Sequence, residues 1–157
     1  MINVLFVDPD NGSRSRMAAA FLRSMAASQF GVFSAGIRSG HRNSFAEEVM
    51  RENGMDISSD DSRDITYFIR QNFSFHYIIV MCNEIELQQC HLFPSSFARL
   101  HWMFDDPKKF EGPDQSITEQ YREQRDLIKK VVKRFVKEIE SGHSHTIADL
   151  NFEPAIR

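Results

Sequence analysis

Apolar and polar positions fall in blocks along this chain, and the period changes from block to block. Ile2 to Val7 is a short continuous apolar run, partly β-branched, of the kind a buried strand needs. Asp8 to Ser15 is polar and holds Pro9 and Gly12, so it reads as a loop. Met17 to Ala27 is rich in Ala, Leu and Met and predicts a helix. Gly31 to Ser34 is a second strand candidate, ended by Ser34-Ala35-Gly36. Ser44 to Asn53 predicts a helix with Phe45, Val49 and Met50 on its apolar face. Ser44 would be its N-cap, Glu47 stands at capping-box spacing, and Gly54 is the stop. Asp64 to Gln71 reads as a short helix, Tyr77 to Met81 as a strand and Ala98 to Met103 as a shorter one. From Thr118 to Glu140, residues Tyr121, Leu127, Ile128, Val131, Val132, Phe135 and Ile139 recur at helical spacing, and Gly142 closes the helix.

Strands alternate with helices, and neither a repeat nor a linker divides the chain. The expected fold is therefore a three-layer α/β sandwich, a four-stranded parallel sheet flanked by helices, with the functional cleft at the carboxyl ends of the strands. One domain is expected over 1–142, followed by a polar tail over 143–157 that docks through Ile147, Leu150 and Phe152.

Composition narrows the function. A chain of 157 residues can bury one substantial core without disulfides or metals. A net charge of -3 gives no support for nucleic-acid binding, and no apolar run reaches the length of a membrane span. The N-terminus runs straight into a strand, with no basic region or cleavage site of a signal peptide. Two cysteines, Cys82 and Cys90, do not make a secreted disulfide scaffold, so a cytoplasmic protein is expected.

The segment between the first strand and the first helix has the chemistry of an oxyanion cradle. Unpaired N–H groups gather at a helix N-terminus, and the helix dipole adds positive potential. Asp10, Asn11, Gly12, Ser13, Arg14 and Ser15 supply a flexible glycine, two hydroxyls and a guanidinium able to grip an oxyanion through two parallel hydrogen bonds. The order Asp8-Pro9-Asp10-Asn11-Gly12-Ser13-Arg14-Ser15-Arg16-Met17-Ala18 resembles the Cys-x5-Arg-Ser loop of the low-molecular-weight tyrosine phosphatases and thioredoxin-type arsenate reductases. Val32-Phe33-Ser34-Ala35-Gly36, Gly54-Met55-Asp56-Ile57-Ser58 and the stretch Arg99 to Pro107 resemble further motifs of those families in the same order, over roughly residues 2 to 140.

The resemblance implies that Arg14 grips the oxyanion and that Asp106, before Pro107, stands where the general acid does. It sets Asp8 at the place of the nucleophilic cysteine, and two readings follow. In the first, Asp8 lies among the amide donors and beside Arg14, its pKa is depressed, it neutralises Arg14 and repels a dianion. The chain is then inactive as a thiol enzyme and retained as a binding or regulatory module. In the second, Asp8 is a phosphoryl acceptor. Val4 to Asp10 also resembles the Asp-x-Asp motif of haloacid-dehalogenase-type phosphatases, which implies magnesium, with Asp105 and Asp106 as conceivable ligands.

Cys82 and Cys90 resemble the resolving pair of the arsenate reductases, spaced one residue further apart, against the plainer reading of two partly buried thiols. The alkali-cation position of that branch has Asn11 and Ser34 but Ala19 where an acid is needed, so no metal or other cofactor is expected on the first reading. The six histidines show no metal-ligand spacing. The phenylalanines, 14 in all, fit core packing better than an aromatic docking surface, and the basic stretch Lys129 to Lys137 fits a solvated helix face. The expected ligand is a small oxyanion or phosphorylated molecule, with a protein partner conceivable and no nucleic acid or membrane.

Overall fold

In the computed structural model, residues 1–38, 40, 42–88, 92–143 and 146–152 are described. Four parallel strands, β1 (Ile2–Asp8), β2 (Phe30–Gly36), β3 (Ser74–Val80) and β4 (Ser95–His101), form one sheet in the order β2-β1-β3-β4. Every pairing is parallel, with Val4 opposite both Val32 and Tyr77, and Ile79 opposite Leu100. The chain moves from β1 outward to β2 and then returns to the other side of β1. The direction of winding therefore changes beside β1, where doubly wound sheets open a crevice at the carboxyl ends of the strands.

The continuous apolar run of β1 is explained by cover on both faces, as parallel sheets require. Val4 and Phe6 face a core built with α1 (Arg14–Ala26), α2 (Ser44–Glu52) and α5 (Asp114–Glu140), through Phe21, Leu22, Val49, Ile128, Val132 and Phe135. Leu5 and Val7 face a second core with Ile65 and Phe68 of α3 (Ile65–Arg70), closed by Phe75 and Ile78. Phe33, Phe68, Phe73 and Phe75 meet there at ring separations of 4.9–5.9 Å, mostly edge to face, so these phenylalanines are core and not docking surface. Phe97 on the edge strand β4 is the opposite case, 87% exposed.

Several boundaries differ from expectation for local reasons. Helix α2 is capped by Asn43, whose side chain accepts from the Ala46 N–H at 2.9 Å, and not by Ser44. Glu47 is drawn aside by Arg42 and Arg51 instead of closing a capping box. Helix α5 starts four residues before Thr118, directly after Pro113, with Asp114 in its first turn where the dipole favours it. After α5, α6 (Ile147–Leu150) is closed by a reciprocal Thr146–Asp149 capping box. The tail then lies against β4. Leu150 and Phe152 are buried, Trp102 donates its Nε1–H to the Leu150 carbonyl (2.9 Å), and the His101 N–H donates to Asn151 Oδ1 (2.8 Å). Among the described residues no helix is long and apolar enough to cross a membrane.

Candidate oxyanion-loop site

The loop of residues 8–15 leaves the end of β1 and enters α1. It fits under the end of β2 because Gly36 stands there: a Cβ at that position would lie 2.9 Å from the Asn11 nitrogen and 2.2 Å from the Arg38 carbonyl oxygen. The left-handed turn that lets the loop reverse falls on Asn11 (φ 56°) and not on Gly12, whose freedom the sequence suggested for it. Asparagine is among the few residues that tolerate that region. Its side chain then donates to Ser15 Oγ at 2.8 Å, joining the loop to the first turn of α1.

Asp8 is buried at the centre. Its two oxygens accept from different amides, Oδ1 from the Asn11 N–H at 2.5 Å and Oδ2 from the Ser15 N–H at 2.8 Å. Asp10 accepts from the Gly12 N–H at 3.1 Å, and its other oxygen pairs with Lys108 at 3.0 Å across the lip of the loop. Three amide hydrogens of the loop thus point at carboxylates of the same loop. Ser13 sits at the N-cap position of α1 without a capping hydrogen bond from its side chain.

Arg14 does not turn its fork to Asp8. Nη1 and Nη2 each lie 2.9 Å from an oxygen of Glu86, on the short helix α4 (Glu84–Leu87), and Nη1 also donates to the Phe104 carbonyl at 3.1 Å. Asp106 is at 4.0 Å, with its Oδ1 also capping the turn Pro107–Lys109 through the Lys108 N–H. Asp105 is exposed, and its carbonyl accepts from Gln124. Burial pushes the Asp8 carboxyl above the ordinary aspartate range, and the Arg14 charge and the Ser15 amide lower it by less. This corrects the expected depression: burial outweighs the Arg14 charge, and Asp10 adds negative charge. For Glu86 the balance is reversed. Burial raises it, but the hydrogen bonds and charge of Arg14 outweigh that and hold it below the glutamate range.

Cys82 is buried immediately after β3, with its carbonyl 2.6 Å from His101 Nε2; Cys90 lies outside the described residues. At the alkali-cation position that the motif resemblance implies, Ala19 is buried and brings no charge, and the guanidinium of Arg16 is buried against the loop, donating to Asn11 O (2.5 Å) and Ile57 O (3.0 Å). No group of three acidic, histidine or cysteine side chains among the described residues could hold a metal ion. A hollow of about 330 Å³, lined by Val80, Leu87, Phe93, Arg99, Leu100, His101 and Asn151, lies at the edge of the sheet and includes no loop residue.

Sequence comparison sets this loop in context. The profile of the low molecular weight phosphotyrosine protein phosphatases matches residues 3–145. The chain belongs to that family. An arsenate reductase of Bacillus licheniformis is 33% identical over 134 residues, 85% of this chain and 94% of that protein. A solved arsenate reductase in its reduced state superposes with a TM-score of 0.70 at 27% identity, covering 88% of this chain and 99% of its own. A tyrosine phosphatase of Erwinia amylovora gives 0.69 at 18% identity over 88% of this chain and 93% of its own, a likeness of fold.

Within this phosphatase-family fold, Asp8, Asp10, Asn11, Gly12, Ser13, Arg14, Ser15 and Asp106 come together. Glu86, Arg16 and Lys108 complete the arrangement and were not singled out from the sequence. Nothing in the sequence announces the Arg14–Glu86 pair, which joins residues 72 positions apart. The Asn83-x-x-Glu86 spacing signals only a helix start.

Proposed function

We propose that this chain is an arsenate-reductase-like member of the family that does not work as a thiol enzyme and serves as a binding or regulatory module. The observation that supports this is the Asp8 carboxylate among the amide hydrogens of its own loop. A carboxylate there has neither the nucleophilicity of a thiolate nor its affinity for arsenic, and it adds negative charge where a dianion would sit. The rival, a magnesium-assisted phosphatase with Asp8 as nucleophile, needs an accessible carboxylate oxygen, whereas both oxygens of Asp8 are buried and engaged. On the proposed reading the ligand is a small oxyanion, a phosphorylated molecule or a protein partner. The protein is cytoplasmic, needs no cofactor, and engages neither nucleic acid nor membrane. The test is turnover of a chromogenic phosphate ester with and without magnesium, and arsenate-dependent oxidation of a thioredoxin-type dithiol. We expect neither above the buffer rate. Magnesium-dependent hydrolysis that disappears in Asp8→Asn would establish the rival.

A further inference from the structure

The strongest contact inside the loop site comes from outside the loop. Glu86 presents both carboxylate oxygens to Nη1 and Nη2 of Arg14, each at 2.9 Å, the parallel two-bond geometry by which a guanidinium takes an external oxyanion. Its other contacts hold it in that pose. The Asn83 N–H donates to Glu86 Oε1 at 3.0 Å, while the Glu86 N–H donates to Asn83 Oδ1 at 2.9 Å. With Phe104 O also on Nη1, both terminal nitrogens of Arg14 are engaged, while its buried Nε has no partner among the described residues. Glu86 already neutralises this buried guanidinium, so a ligand can take its Nη1/Nη2 edge only by exchange with Glu86. The element that would have to move is a single helical turn, Glu84–Leu87, hung on Asn83 beyond the end of β3.

The geometry points to Glu86 as an internal ligand of Arg14, a latch that keeps the oxyanion grip closed separately from Asp8. This rests on the proposed function in that both treat the loop as a cradle filled from within, but it makes a distinct claim: removing the Asp8 charge alone does not open the site. Asp8 engages the amides and Glu86 the Nη1/Nη2 edge of the guanidinium, so a dianion that takes both must displace both.

Calorimetric titration of the full chain with inorganic phosphate separates the two claims, using wild type, Asp8→Asn, Glu86→Gln and the double variant. The double variant should bind phosphate about 10- to 100-fold more tightly than Asp8→Asn, the range that losing a competing pair of charge-assisted hydrogen bonds corresponds to. Wild type should be weakest. If Asp8→Asn binds as tightly as the double variant, the latch is wrong while occlusion by Asp8 stands. If wild type binds as tightly as the double variant, both are wrong. A double variant that binds no better than wild type also overturns the latch. Should Glu86→Gln fail to fold, Asn83→Ala combined with Asp8→Asn replaces it. That change loosens the turn behind Glu86 and should give an intermediate gain over Asp8→Asn, and no gain overturns the proposal.

Discussion

The Nε of Arg16 lies 2.5 Å from the carbonyl oxygen of Asn11, and the same guanidinium reaches Ile57 O at 3.0 Å. One side chain thus ties the outer side of the oxyanion loop to the turn after α2, and it does so while buried. Carbonyls left without donors in such a place cost about 1–3 kcal/mol each, partly offset here by removal of a buried charge. Arg16→Met should therefore lower unfolding stability by about 2 kcal/mol, read from urea midpoints at constant m-value. A midpoint equal to wild type would show that the tie is not needed.

Asp8 gives a pH signature with a definite sign. Its folded carboxyl titrates above the ordinary value of 3.8, so the folded state holds this proton more firmly than the unfolded chain does. The stability this confers is fully present below pH 3.8 and is lost as pH rises through the higher folded value. Asparagine stays neutral throughout; its Oδ1 can accept from one of the two amides, while its NH2 cannot accept from the other, a cost that does not change with pH. The stability of Asp8→Asn relative to wild type should therefore rise between pH 3 and pH 7. Denaturant titrations at the two pH values check this, and a wild type that gains on the variant as pH rises would reverse the assignment.

The segment after α5 makes a measurable contribution. Phe152 stacks on Trp102 at 5.7 Å, and the Arg134 guanidinium lies 4.4 Å from the Phe152 ring centroid. Phe152→Ala should cost about 3 kcal/mol, the lower end for a buried phenylalanine. Trp102 is the sole tryptophan of the chain, so its emission reports on the same contact and should shift to the red. Unchanged emission and unchanged stability together would mean that the tail does not seal the ring.

The sheet and its flanking helices were legible because parallel strands covered on both faces leave unbroken apolar runs, as in Ile2 to Val7, and because α5 repeats its apolar positions over many turns. Ends were less legible. Asn43 and Ser44 are both capping residues, and the choice between them depends on backbone angles that tertiary packing sets. The loop was legible as a strand-to-helix turn rich in donors. Its internal wiring was not: which residue takes the left-handed turn, and where Arg14 points, depend on partners such as Glu86 and Phe104 that are 72 and 90 residues away. The expected lowering of the Asp8 pKa failed because it left out burial, which outweighs the Arg14 charge.

The salt bridge between Asp10 and Lys108, 3.0 Å across the lip, has a mechanical consequence. It links the segment after β1 to the segment after β4, whose strands are separated in the sheet by β3. Both side chains reach solvent, so added electrolyte weakens this clasp more than it weakens the buried pairs beneath it. Ionic strength therefore acts on this outer pair first and on the Arg14–Glu86 pair last.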